Sequence, residues 1–149
     1  MEPVIREAAP DELPALAALY CRVRRDEFFW EPSVGPDDFY RDTRGEAILT
    51  AHCGNGGQGG QTAAGFISVW AETKFVHCLY VDAAFRGQGV GRRLVDAAAR
   101  RFGTPLTLKC MRANTAALRF YEKTGWTVTD VAATEKGPCC VLVRKDVSA

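Results

Sequence analysis

Leu79-Tyr80-Val81-Asp82-Ala83-Ala84-Phe85-Arg86-Gly87-Gln88-Gly89-Val90-Gly91-Arg92-Arg93-Leu94 joins three local patterns in one short stretch. An apolar run rich in β-branched and aromatic residues ends at Val81, and glycines alternate at 87, 89 and 91. Val90, Leu94, Ala98 and Phe102 then recur every four residues with Val95 beside them, the period of a helix with one buried face. Strand, glycine turn and helix in this order gather unpaired backbone N–H groups and the positive end of a helix around one point. Phosphate oxygens fit there. The glycines let the backbone approach a bulky diphosphate without Cβ collisions, and Arg86 and Arg92 add charge-assisted hydrogen bonds. A Walker loop is excluded because no Lys-Ser or Lys-Thr follows the glycines. A dinucleotide fingerprint needs G-x-G-x-x-G and an acid about 20 residues further on, and the spacing Gly87-x-Gly89-x-Gly91 supplies neither. A glycine turn with no ligand is the plainer alternative, but three glycines between two arginines lose conformational entropy without adding packing.

Outward from this stretch, Phe75 to Val81 and Pro105 to Cys110 read as the strands on either side of the helix, which makes a βαβ unit. Upstream, Val4-Ile5-Arg6 is a short strand. Pro10-Asp11-Glu12 opens a helix whose buried stripe is Leu13, Leu16, Ala17, Tyr20 and Val23, and Pro36 starts a second, shorter one. Ala47–Cys53 and Ala64–Trp70 read as strands joined by a glycine-rich connector, Gly54 to Gln61, with no helix behind it to make a phosphate site. Downstream, Asn114 caps a helix with Leu118 and Tyr121 on its inner face, and Gly125 ends it. Trp126–Val128 and Cys140–Val143 close the chain as strands. The expected architecture is a single mixed α/β domain with helices covering a central sheet, in the order β-α-α-β-β-β-α-β-α-β-β.

A chain of 149 residues with 47% hydrophobic and 25% charged residues is globular and holds one core rather than two. A formal net charge of +1 leaves no global field to hold a nucleic acid or an anionic membrane, so an anion site must be local. No apolar run is long enough to cross a bilayer. Cys21, Cys53, Cys78, Cys110, Cys139 and Cys140 show no C-x-x-C spacing, only His52 and His77 accompany them, and Met1 to Arg6 lacks the pattern of a secretory signal. The expectation is free thiols in a reducing cytoplasm and no metal.

Two motifs carry a resemblance. Arg86-Gly87-Gln88-Gly89-Val90-Gly91, after a strand ending Leu79-Tyr80-Val81, resembles the R-x-x-G-x-G coenzyme A signature of the GNAT superfamily of N-acetyltransferases. Asn114 to Trp126 resembles that superfamily's N-x-x-A-x-x-F-Y-x-x-x-G-[FW] segment. With the element order, the likeness runs from about residue 3 to residue 144 of a single domain over 1–149. It implies a mostly antiparallel twisted sheet and acetyl-CoA as cosubstrate. Leu79, Tyr80 and Val81 would pair with the pantetheine arm, and the N–H groups from Arg86 through Gly87, Gln88, Gly89, Val90 and Gly91 to Arg92 would hold the pyrophosphate. Asn114 would touch the pantetheine region, and Tyr121 would protonate the leaving thiolate.

For the base, a group titrating near neutrality is wanted, and His77 is the candidate, on a strand position that in the arylalkylamine branch looks like one holding a histidine. A half-buried structural histidine is the other reading of it. Strand alternation puts His77 with Leu79 and Val81 and turns Cys78 away, which argues against a Cys78–His77 dyad. Members acetylating ribosomal protein termini often carry Glu where Lys109 stands. Phe28, Phe29, Trp30 and Glu31 fall where relatives recognise the acceptor, and an aromatic wall with an acid suits a cationic amine. The expectation is transfer of acetyl to a small primary amine by direct attack in a ternary complex, by a monomer or homodimer. A protein N-terminal or lysine acetyltransferase and a coenzyme A sensor without turnover are the alternatives.

Overall fold

The computed structural model describes residues 3–27, 33–53 and 62–145. Strand β1 (Val4–Glu7) leads through a 3₁₀ turn at Pro10–Glu12 into helix α1 (Leu13–Glu27) and then α2 (Pro36–Thr43). Strands β2 (Ala47–Cys53), β3 (Thr62–Trp70) and β4 (Phe75–Val81) follow, then a 3₁₀ turn at Ala83–Phe85 and helix α3 (Val90–Phe102). The chain closes with β5 (Leu106–Met111), α4 (Thr115–Lys123), β6 (Thr127–Thr134) and β7 (Gly137–Arg144). Element order matches the sequence reading, and β2, β4 and α3 carry the same bounds. The final two strands are longer than the sequence indicates, because β6 is exposed along its whole length and has no apolar alternation to mark its end.

One sheet of seven strands runs β1-β2-β3-β4-β5-β7-β6, and every neighbouring pair is antiparallel except β4 with β5. The crossover through α3 forces that parallel pair, as a βαβ connection must. Each face of the sheet has its own core. Leu94, Val95 and Ala98 of α3 and Tyr121 of α4 pack with Ile67, Val69, Val76, Leu106 and Leu108 on one face. Leu16, Tyr20 and Val23 of α1 and Phe39 of α2 pack with Phe66, Cys78 and Tyr80 on the other. Edge-to-face rings knit this second core, with Phe39 to Phe66 at 5.5 Å and Tyr20 to Tyr80 at 5.4 Å between centroids. The Tyr20 hydroxyl donates to Asp42 Oδ2 at 2.6 Å. α1 is thereby fixed over the middle of β4.

Candidate active site

β4 and β5 pair only at Phe75–Thr107 and Val76–Leu108 and then part. On its other side β4 stays paired with β3 as far as Val81. The Asp82 N–H donates to Ala64 O at 2.8 Å, toward β3. Alternation along a strand therefore turns the N–H and C=O groups of Leu79 and Val81 the opposite way, into the gap that β5 has vacated. A sheet is rarely opened at its centre unless something else satisfies those groups. Tyr80 contributes differently, since its buried side chain packs on α1 and its hydroxyl accepts from Arg24 Nη1 at 3.0 Å.

The gap continues into a cavity of about 530 Å³ lined by Leu79, Val81, Arg86, Gly87, Gly89, Val90, Gly91, Arg92 and Tyr121, with Phe85 and Phe120 among the apolar walls. Gly87 and Gly89 have φ of +77° and +80°, the left-handed region, and a Cβ at either would meet nothing within 4 Å. Backbone conformation, not crowding, asks for glycine there. Gly91 differs. It is buried in the first turn of α3, where a Cβ would stand 3.0 Å from the Phe120 ring, so this glycine serves the contact between α3 and α4. The sequence reading assigned it to close approach of a phosphate. Gln88 is exposed and does not line the cavity. The first N–H groups of α3 together with the guanidinium groups of Arg86 and Arg92 fit a diphosphate, and the unpaired strand edge fits an amide-bearing arm.

A second cavity, about 250 Å³, adjoins the first and shares Glu27, Leu79, Ala117 and Tyr121 with it. Tyr121 lies at the junction, with its ring edge-on to Phe120 at 5.4 Å and Trp126 at 5.6 Å. Burial raises its phenol well above the ordinary range, so the hydroxyl keeps its proton at neutral pH. His77 lines the second cavity, and its Nδ1 lies 3.0 Å from Glu46 Oε2. The Glu46 carboxylate is only 6% exposed, and its Oε1 is buried with no hydrogen-bond partner among the described residues. Donation of the ring N–H to the Glu46 carboxylate raises the His77 pKa above its usual value while burial opposes the rise. With Nδ1 committed to Glu46, the neutral ring carries its proton there and keeps Nε2 as an acceptor.

A bulge accompanies this arrangement. Ser68 faces Cys78 but Val69 faces Val76, so His77 is the extra residue on β4. Simple alternation, as the sequence reading used it, would put Val76 with Cys78. Instead Val76 joins the α3 core and Cys78 the α1 core. Burial pushes the Cys78 thiol up to about 12, the reverse of an activated nucleophile.

Asn114 lines the second cavity rather than the first, and its Oδ1 caps α4 by accepting from the Ala117 N–H at 3.2 Å. Arg86 is paired with Glu27 at 2.9 Å, and Arg22 with Asp82 at 2.6 Å, which ties the end of α1 to the glycine loop. Glu27 and Glu46 escape the sequence reading. Glu27 had a signal, being an acid in the last turn of a helix, where the dipole disfavours it. Its carboxyl is raised by burial, with Arg86 opposing. Phe28, Phe29, Trp30 and Glu31, read as acceptor contacts, lie outside the described residues. Among the described residues no group of three or more His, Cys, Asp or Glu side chains could hold a metal ion, and no helix is long and apolar enough to cross a membrane.

The profile of the acetyltransferase (GNAT) family matches residues 15–126. The comparison with curated proteins finds no match. Among solved structures, the apo form of YjaB from Escherichia coli is similar at TM-score 0.76 and 23% identity, with 96% of this chain and 97% of that one covered. The yncA protein of Salmonella typhimurium, solved with its cofactor acetyl-CoA, is similar at TM-score 0.68 and 22% identity, covering 100% and 97%. A ribosomal-protein-alanine N-acetyltransferase from Brucella melitensis gives TM-score 0.68 and 19% identity, covering 95% and 99%. The profile spans three quarters of the chain and takes in both the glycine loop and the Asn114–Trp126 segment, and the whole chain superposes on acetyltransferase folds; the protein belongs to the GNAT family of acetyltransferases.

Proposed function

We propose that this chain is an N-acetyltransferase that moves the acetyl group of acetyl-CoA to the primary amine of a small molecule, by direct attack within a ternary complex. The observation that carries the proposal is Tyr121, a protonated phenol at the wall common to two cavities, one suited to a phosphate-bearing coenzyme and the other holding a carboxylate-backed histidine. Acetyl-CoA supplies the reactive thioester. The N–H groups of Leu79 and Val81 and the start of α3 fix its position, while Arg86 exchanges Glu27 for a phosphate oxygen. His77 Nε2 takes one proton from the incoming ammonium. The freed nitrogen attacks the acetyl carbon, a C–N bond replaces the C–S bond, and Tyr121 gives its proton to the departing sulfur. The second amine proton restores the phenol by way of solvent. Net products are an N-acetyl amide, the free thiol of coenzyme A and one proton.

The unit is the single domain over 1–149. A cytoplasmic setting is supported by six buried cysteines that are all free thiols. Release of free thiol from acetyl-CoA, followed across a panel of primary amines, tests the reading. Thiol release that depends on the amine supports it. Binding of coenzyme A with no amine-dependent release would reduce the protein to a sensor of the coenzyme.

A further inference from the structure

We infer that Glu27 binds the acceptor's ammonium group and that the coenzyme unlocks it: Arg86 holds the Glu27 carboxylate until a phosphate takes Arg86 away, and the released carboxylate then receives the amine. This rests on the transferase reading above and names the residue through which that site admits its acceptor. Glu27 lies in the last turn of α1 and is the acidic side chain, among the described residues, that lines both cavities. Arg86 lines the first cavity only, and its Nη1 lies 2.9 Å from Glu27 Oε1. Both side chains are partly exposed, so the pair can open without disturbing the fold.

Glu27 stands where a carboxylate needs a cation. Burial and the neighbouring Asp26 both work against its charge, and Arg86 works for it. The negative end of α1 adds to the opposition. Arg86 has one guanidinium for two anions, since it opens the loop that fits a diphosphate, and a phosphate group is the stronger, bidentate partner. Its transfer leaves Glu27 half-buried and uncompensated, which is costly until another cation arrives. The other charges about the second cavity balance in sign. Arg24 and Lys109 line it, while the Asp42 and Glu46 carboxylates act on His77 from behind. The state of Glu27 therefore decides the field that an incoming molecule meets: neutralised while Arg86 holds it, negative once Arg86 has turned to phosphate. The carboxylate is also near enough to Tyr121 to act on its phenol, so an ammonium held there lies beside the group assigned to the leaving sulfur. His77, on the same cavity, is in place to take its proton.

Calorimetric titration of n-butylamine, 2-phenylethylamine and putrescine into the full chain, alone and saturated with coenzyme A, reads the coupling without turnover. The amine bound best should bind the loaded protein at least about tenfold more tightly than the unloaded one, and by reciprocity should tighten coenzyme A by the same factor. The corresponding alcohol, similar in shape and uncharged, should show no such gain. Glu27→Gln should bind the amine weakly in both states while holding coenzyme A at least as well as the parent, because Arg86 no longer has a competing anion. Arg86→Gln should weaken coenzyme A and give the unloaded protein the amine affinity that the parent reaches only when loaded. Opposite effects of the two variants on the unloaded protein separate a lock from a merely structural ion pair. No gain on loading, a coupling that survives Glu27→Gln, or parental amine affinity in unloaded Arg86→Gln overturns the inference. The transferase reading fails on a different result, the absence of amine-dependent thiol release from acetyl-CoA, and the binding titrations are decided independently of it.

Discussion

At the scale of single residues, the proposed mechanism divides the proton transfers between two side chains whose surroundings both favour the protonated form, by different means. Burial keeps Tyr121 protonated, and Glu46 keeps His77 more basic than an isolated imidazole. Tyr121→Phe preserves the ring contacts with Phe120 and Trp126 and deletes only the hydroxyl. Coenzyme affinity should stay parental while kcat falls about 10²-fold, measured by thiol release and calorimetric titration. In the proposed mechanism the base works as the neutral imidazole, so the rate should rise with pH through the His77 pKa. Because Glu46 raises that pKa, Glu46→Gln should move the acid limb of the pH–rate profile to lower pH, and His77→Ala should abolish the limb. The linked stability term has the same origin. A raised histidine contributes fully below its unfolded value of about 6.5, and the contribution is lost as pH rises through the higher folded value. His77→Ala should therefore cost more Tm at pH 5.5 than at pH 8.5, a difference that scanning calorimetry reads.

At the scale of elements, the two ends of the glycine loop answer to different constraints. Gly89 caps α3 at φ +80°, where a branched side chain is strained by about 1–2 kcal/mol whatever space surrounds it. Gly91 has ordinary helical backbone but faces the Phe120 ring. Gly89→Val should weaken coenzyme binding at least tenfold by distorting the loop. Gly91→Val should instead overpack the α3–α4 contact, costing about 1–3 kcal/mol, or a Tm fall of about 2–12 °C. Phe120→Leu in the same chain should recover part of that loss, and should do nothing for Gly89→Val. This contrast marks where sequence reading ends. The three glycines, the helix and the strand before them are visible as a local pattern, because periodicity and turn chemistry are local. That Gly91 meets Phe120 depends on two helices closing over one sheet face, which no spacing reveals. The same holds for Glu46, placed behind His77 by the β2–β3–β4 register, and for the bulge that breaks the alternation at His77.

At the scale of the whole molecule, the proposed coenzyme site is assembled from α1, the glycine loop and α4. Arg22–Asp82 and Glu27–Arg86 tie α1 to the loop before α3, while α4 closes the far side of the cavity. A ligand that binds only this assembled form stabilises it by mass action. Coenzyme A at about a hundredfold excess over its Kd should add roughly 2.7 kcal/mol, a rise in Tm of about 5–11 °C for a chain of this length. ATP and NAD at equal concentration should not do so. The overall order of strands and helices was legible from the sequence because each element carries its own hydrophobic period. The acceptor side was less so, since its charges come from α1, β4 and β5 and meet only after the sheet has formed.

The parting of β4 from β5 leaves the Leu79 and Val81 amides, in the middle of the sheet, without a strand partner among the described residues. In deuterated solvent such amides should behave like those of a loop, exchanging orders of magnitude faster than the Tyr80 amide between them, which is turned toward β3. Saturating coenzyme A should slow both to sheet-like rates. Two central-strand signals would then report on occupancy of the gap, residue by residue, without any label on the ligand.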